Sequence, residues 1–193
     1  MFTGIITNTA KVKSQKTKDG SLYLEIAKPP KWKLSIGESI STDGVCLTVK
    51  KITPRAYAVE LMPETLGKTT FGKKIPAIVN LERSLTLTDR MSGHFVSGHV
   101  DTVGKIIKIE KHGASLKFFI TYPSEFKKFL ISKGSIAIDG VSLTVVDVTP
   151  TYFSVALLAH TLSHTTLGKK NKDDLVNLEF DLLAKYAQKQ KKS

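Results

Sequence analysis

The stretch DGVCLTVKKITP at residues 43–54 returns as DGVSLTVVDVTP at residues 139–150. No other feature constrains the fold as strongly, because self-similarity at a fixed spacing sets the architecture before any single element is read. Cys46 meets Ser142, Thr48 meets Thr144 and Pro54 meets Pro150, all 96 positions apart. At the same spacing ETLGKTTFGKK (64–74) meets HTLSHTTLGKK (160–170). VNLE at 79–82 recurs at 176–179, and TGIITNTAKV (3–12) aligns with SGHVDTVGKI (97–106). The register drifts between these blocks and holds within them. A period this long is a domain length and not a solenoid unit. The chain therefore divides into residues 1–90, residues 91–180 and a C-terminal segment 181–193, with SLTLTDRMSG (84–93) as the crossing.

Each half reads as β-structure. Val45, Leu47 and Val49 alternate with Cys46 and Thr48, and Val141, Leu143 and Val145 alternate with Ser142 and Thr144. Period two sends one set to a core and the other to the opposite face. SLYLEIA, YAVELM and AIVNLE in the first half, and KFFITY, FSVALL and LVNLEF in the second, also fit strands. So many short strands in so short a half predict a small closed barrel, since closure removes sheet edges. PKWKLS (30–35) and SEFKKFLIS (124–132) fit single helical turns. DLLAKYAQKQKK lacks helix breakers, and its Leu182, Leu183 and Tyr186 form an apolar stripe. An isolated helix that short is marginal in water, so it is expected to pack against another surface.

Composition narrows the function classes. With 193 residues, 41% hydrophobic and 24% charged, the chain is too apolar for disorder and long enough for two small cores. No basic leader with an apolar core follows Met1, and runs such as VALLA (155–159) are too short to span a bilayer, so a soluble cytoplasmic protein without membrane association is expected. The single cysteine, Cys46, excludes an intrachain disulfide and a cysteine-based zinc site. A net charge of +12 favours an anionic partner, yet the lysines are scattered and aromatics are only 8%, which argues against nucleic acid.

The two halves differ at informative positions: Cys46 faces Ser142, Ile5 faces His99 and Glu64 faces His160. A hydroxyl and an imidazole that converge make a proton-transfer pair. The sequence places His99 and Ser142 in the second half and the Cys46 thiol in the first. No metal site is expected. His94 and His99 fall on opposite strand faces, and His160 and His164, at helical spacing, lack an adjacent Glu and a third ligand. The GKK runs lack the rest of a phosphate-binding loop.

MFTGII, DGVCLTV, SGHVD, DGVSLTV, HTLSHTTLG and VNLEFDLLAKY, in that order and spanning Met1 to Tyr186, resemble the riboflavin synthase family, the lumazine-dismutating enzymes. The resemblance implies an all-β chain of two tandem, duplicated six-stranded Greek-key β-barrels with a C-terminal α-helix that associates in a homotrimer. It implies a transferase reaction without metal or organic cofactor. Two molecules of 6,7-dimethyl-8-ribityllumazine exchange a four-carbon unit to give riboflavin and 5-amino-6-ribitylaminouracil. The productive pair is expected between the N-terminal barrel of one subunit and the C-terminal barrel of its neighbour, and lumazine synthase is a further partner the resemblance admits.

Site residues carry over from the same blocks. Gly4, Ile5 and Ile6 match a segment whose backbone lines the first pocket, with Cys46, Leu47 and Thr48 beside it. Glu60, Leu61, Met62, Pro63, Glu64 and Thr65 match a turn that holds the ribityl chain. For the second pocket the matches are Gly98, His99 and Val100, then Lys133, then Ser142, Leu143 and Thr144. Ala156, Leu157, Leu158, Ala159, His160 and Thr161 match the second ribityl turn. His99 and Ser142, with Thr144, are the expected proton-transfer groups, and Cys46 the nucleophile or thiol donor of the other pocket. Ala159 replaces a common proline and Gly67 a common arginine. Lumazine proteins, non-catalytic antennae of the same fold, offer a second reading. They depart at the GHV and SLT blocks, whereas this chain keeps His99, Ser142, Thr144 and Cys46.

Overall fold

A computed structural model of the chain describes residues 1–190; Lys191 to Ser193, the end of the expected basic tail, lie outside the described residues. The repeat folds twice into the same closed barrel. Strands β1 (Asn8–Lys18), β2 (Ser21–Ala27), β3 (Ser39–Thr42), β4 (Val45–Ile52), β5 (Ala56–Leu61) and β6 (Ile78–Arg83) close in the order β1-β2-β5-β4-β3-β6. Strands β7 (Thr102–His112), β8 (Ser115–Thr121), β9 (Ser135–Ile138), β10 (Val141–Val148), β11 (Tyr152–Leu157) and β12 (Leu175–Phe180) repeat that order as β7-β8-β11-β10-β9-β12. All neighbouring pairs are antiparallel. Closure leaves neither barrel with a free edge.

Period-two alternation builds both cores. Leu22, Leu24, Ile26, Leu47, Val49, Val59 and Leu81 fill the first, and Phe118, Ile120, Leu143, Val145, Phe153, Val155 and Leu178 fill the second. Two short helices, α1 (Pro63–Lys68) and α2 (Ala159–His164), follow β5 and β11 at equivalent places. Helix α3 (Leu182–Gln190) follows β12 and keeps Leu183 and Tyr186 exposed. SEFKKFLIS forms a 3₁₀ turn over Ser124–Phe129, with Phe126 stacked on Phe180 at 4.9 Å. PKWKLS forms no helix; a bond from Trp32 N–H to the Pro29 carbonyl makes a single turn there, with Pro30 at the second position, which its fixed φ suits.

The barrels meet about a pseudo-twofold axis. The β3–β4 turn at Asp43-Gly44 and the β9–β10 turn at Asp139-Gly140 have all four residues at positive φ, as tight primed hairpins require. The turns touch back to back: a Cβ on Gly44 would lie 2.7 Å from the Gly140 nitrogen. Asn80 takes its own turn's carboxylate through its backbone N–H (2.7 Å to Asp43 Oδ1) and reaches the other turn through Nδ2 (2.9 Å to the Asp139 carbonyl). Asn177 makes the mirror-image pair, to Asp139 Oδ1 at 2.7 Å and the Asp43 carbonyl at 2.8 Å. Each asparagine Oδ1 then accepts a backbone N–H from the opposite half, that of Thr70 or Thr166.

One element breaks this symmetry. Lys170 Nζ lies 3.0 Å from Asp139 Oδ2, while its repeat mate Lys74 makes no ion pair with Asp43 among the described residues. Burial, and then the Asp139 carboxylate, push the Asp43 carboxyl well above the ordinary range. A carboxyl that holds its proton more tightly when folded makes stability fall as pH rises from the unfolded-state pKa near 4 towards the folded-state value. Asp43→Asn removes that penalty while keeping an oxygen for the Asn80 N–H. We expect the variant to melt higher than the parent at pH 8, by about 2–4 °C for each kcal/mol recovered. The advantage vanishes near pH 4, and thermal unfolding at the two pH values checks it.

Candidate functional site

The two strands that carry the repeated motif turn their small polar residues outward. On β4, Val45, Leu47 and Val49 are buried while Cys46 is half-buried and Thr48 exposed. On β10, Val141, Leu143 and Val145 are buried while Ser142 is half-buried and Thr144 exposed. Against each face lies a segment from the start of a repeat. Cys46 N–H donates to the Gly98 carbonyl and Ser142 N–H to the Gly4 carbonyl, both at 2.8 Å. Both glycines have φ near +80°, and a Cβ on either would sit 2.6 Å from the Cβ of its partner. Only glycine allows so close an approach.

These contacts exchange the furniture of the two halves. The sequence grouped Gly4, Ile5 and Ile6 with Cys46, and Gly98, His99 and Val100 with Ser142. The structure crosses them. The Gly4 carbonyl, just before Ile5, takes the Ser142 N–H, and Ile6 packs on the second barrel's core; the Gly98 carbonyl, just before His99, takes the Cys46 N–H, and Val100 is buried in the first. The reason is that the crossing segment pairs with the N-terminus, through Phe2 N–H to the Val96 carbonyl (2.8 Å) and His94 N–H to the Thr3 carbonyl (3.1 Å). Each segment emerges from this short ladder facing the opposite barrel. Phe2, Val96, Ala137 and Cys46 fill the space beneath.

The expected His99–Ser142 pair is therefore not formed. Ser142 Oγ lies 2.7 Å from Nδ1 of a different histidine, His94. Burial holds the His94 imidazole below the usual range, with the Asp181 carboxylate pulling it back up. Its Nε2 is buried and has no partner among the described residues. His94 was weighed in the sequence only as a metal ligand. It escapes a repeat comparison because its mate in the register would precede Met1. The resulting asymmetry is chemical: an imidazole hydrogen-bonded to a hydroxyl at the Ser142 face, and a thiol without such a partner among the described residues at the Cys46 face, where the adjoining segment bears His99.

The remaining predicted residues divide between the cores and the surface. Leu47, Leu61, Val100, Leu143 and Leu157 bury their side chains in the cores. Glu60 is half-buried and accepts from Tyr23 Oη at 3.0 Å, which with Lys50 at 3.5 Å holds its carboxylate below the usual range. Met62 and Leu158 are exposed at the entries to α1 and α2. Pro63 opens α1 and Ala159 opens α2 at the same position, so the missing proline does not cost the second helix. Glu64 pairs with Lys68 at 2.8 Å, whereas its repeat mate His160 stacks on His164 at 4.1 Å. Thr65 and Thr161 sit half-buried, each accepting at its carbonyl the hydroxyl of Thr69 or Thr165. Ala156 is exposed near the end of β11. Lys133, at φ +65°, is exposed and tied to β10 by its N–H to the Val145 carbonyl.

Because Asp181 raises the His94 pKa against the effect of burial, Asp181→Asn is expected to lower it further. An NMR titration of the imidazole checks both signs: a midpoint below 6.5 in the parent, and a lower one in the variant.

The family model described as the lumazine binding domain matches this chain twice, at residues 3–84 and 97–181. The chain is similar to the riboflavin synthase of Photobacterium leiognathi, 38% identical over 98% of this chain and 88% of that protein. It is 42% identical to that of Brucella abortus (strain 2308), over 97% of this chain and 96% of that one. The Bacillus subtilis (strain 168) riboflavin synthase is 38% identical over 96% and 87%. Among solved structures, LumP complexed with riboflavin superposes with a TM-score of 0.85 at 22% identity, covering 93% of this chain and 99% of that one. LumP complexed with 6,7-dimethyl-8-(1'-D-ribityl) lumazine gives 0.82 at 23%, covering 93% and 98%. At that identity the likeness is one of fold.

Proposed function

We propose, from the premise that this chain belongs to the riboflavin synthase family, how its two barrels divide the family's reaction. Two molecules of 6,7-dimethyl-8-ribityllumazine react. One gives up C6, C7 and their methyl groups to the other, yielding riboflavin and 5-amino-6-ribitylaminouracil. The product formulas sum to twice the substrate formula, so no oxidant, reductant or net water is consumed. Identical substrates with different fates require two related but unequal pockets, and the observation that carries this reading is the crossing of the halves: one template, two faces, one with the Ser142–His94 hydrogen bond and the other with Cys46 tied to Gly98 in the segment that bears His99.

Each chemical role follows from its surroundings. The substrate's C7 methyl is acidic, and its C7 is electrophilic. An imidazole kept neutral by burial is a base at neutral pH, so His94 takes the proton of Ser142, or of a water that Ser142 holds with Thr144, as that oxygen adds to C7 and the C7=N8 π pair moves into the ring; the oxygen takes its proton back when it leaves C7. At the other face His99 takes a proton from the C7 methyl of the second molecule and returns it to the departing uracil product, with the Cys46 thiol on the adjoining strand. The outward turns at Glu60–Thr65 and Ala156–Thr161, with Lys133, hold the ribityl chains. Stacking two rings in a fixed geometry supplies much of the rate through proximity alone.

Large apolar side chains stand exposed at Ile5, Met62, Leu158 and Ile131, and on α3 at Leu183 and Tyr186. That pattern supports closure by a neighbouring copy in a homotrimer, with the first barrel of one subunit facing the second barrel of the next. No described helix is long and apolar enough to cross a membrane. The free Cys46 fits a reducing, cytoplasmic setting, where a lumazine synthase would hand over its product.

Incubation with the lumazine alone, with chelator present, tests the reading. We expect one riboflavin for every two lumazines lost. Lumazine bound but unchanged would favour an antenna role, and no binding would end both readings. Ser142→Ala and His94→Gln should each lower kcat by about 10- to 100-fold, and the double variant should be little worse than either, as for groups acting as one unit.

A further inference from the structure

His99 is exposed, and its ring makes no hydrogen bond among the described residues; only its backbone N–H is tied, to Ser97 Oγ at 3.2 Å. The segment that carries it is joined to the Cys46 strand at the preceding residue, where the Gly98 carbonyl accepts Cys46 N–H at 2.8 Å. Glu179 of β12 holds the near end of that segment and is itself 3% exposed. Its Oε1 accepts from Ser97 N–H and Ser97 Oγ, both at 2.6 Å, and its Oε2 accepts from Gly98 N–H at 2.9 Å. One carboxylate thus satisfies three donors on two successive residues, with the short distances of charge-assisted bonds. The far end is held by a second carboxylate. Asp101 accepts from Phe180 N–H at 2.9 Å and lies 2.6 Å and 2.7 Å, through its two oxygens, from Lys185 Nζ on α3.

The Ser142 face shares only the first of these ties. Glu82 accepts from Thr3 N–H and Thr3 Oγ1, both at 2.7 Å, and from Gly4 N–H at 2.9 Å. Where Asp101 stands in the second repeat the first has Thr7, whose hydroxyl donates to the Leu81 carbonyl. The ion pair to the C-terminal helix is confined to the segment that bears a histidine; the segment that bears Ile5 has none.

We propose that Glu179 and the Asp101–Lys185 pair are positioning residues, a two-ended clamp that holds Ser97–Asp101 so that His99 stands over the Cys46 face, and that the docking of α3 thereby governs that face. The clamp rests on the reading of His99 and Cys46 given above. Glu179 cannot reach the reacting atoms; it acts through the backbone of Gly98. A carboxamide has one acceptor oxygen, so Glu179→Gln turns an NH₂ towards one of the donors. Lys185→Met keeps the stem of the side chain and removes its charge.

Both variants are assayed as full-length protein for kcat and KM, and the His99 imidazole is followed by NMR without substrate, with His112 on β7 as a distant control. We expect the His99 resonance to move in both while that of His112 stays. We expect kcat to fall about tenfold or more in Glu179→Gln and about threefold in Lys185→Met, with KM moving less, since misplacing a group by about 1 Å costs up to about 100-fold. An unmoved His99 resonance overturns the proposal whatever the activity, and so does a moved resonance with unchanged kcat. If Glu179→Gln does not fold, Lys185→Met decides by the same two readouts. A parent protein that makes no riboflavin fails the functional reading instead, and the His99 resonance still decides whether the clamp exists.

Discussion

Two backbone hydrogen bonds organise everything else in this molecule: Cys46 N–H to the Gly98 carbonyl, and Ser142 N–H to the Gly4 carbonyl. Each joins the strand that carries one barrel's repeated motif to the leading segment of the other half. They need glycine at positive φ at both contacts, and they need the N-terminus paired with the crossing segment through Phe2 and Val96. Without the exchange, each barrel would close on its own leading segment, Cys46 with that of Ile5 and Ser142 with that of His99. With it, the segment that bears His99 lies against the Cys46 strand, and Ser142 takes His94 from the crossing itself.

The back-to-back turns at Gly44 and Gly140 add rigidity to this exchange. Asp43 and Asp139 lie three positions before Cys46 and Ser142, so the asparagine network that locks the turns together also fixes where the thiol and the hydroxyl begin. The network is symmetric in its neutral hydrogen bonds and asymmetric in charge, with a lysine at Asp139 alone. The same pattern holds at the leading segments, where Glu82 and Glu179 match but only Asp101 has its Lys185. Duplication has kept the hydrogen bonds that define shape and let the charges diverge.

Much of this was legible in the letters. Period two in Val45–Val49 and Val141–Val145 identified the buried and outward residues, and the repeat register paired ETLGKTTFGKK with HTLSHTTLGKK without showing that each block forms a short helix, α1 and α2. The outward polar residues Cys46, Thr48, Ser142 and Thr144 and the turns after β5 and β11 lie where the motifs placed them. What the letters did not carry was partnership across the barrels. Alternation and spacing report on one strand at a time, so they assign His99 to Ser142 by sequence proximity. The exchange depends on long-range pairing of residues 2–4 with 93–96, which leaves no local signature beyond glycines at 4, 93 and 98. His94 was hidden for the same reason, since a residue in a crossing segment has no repeat mate to be compared with.

Two ligand faces built from one template and furnished differently should be separable in solution. The most direct test is an equilibrium titration with riboflavin, a product that binds without reacting, followed by its fluorescence quenching. The account predicts two sites per chain, with Cys46→Ser altering one of them and Ser142→Ala the other. A single site per chain, or both substitutions altering the same site, would contradict it.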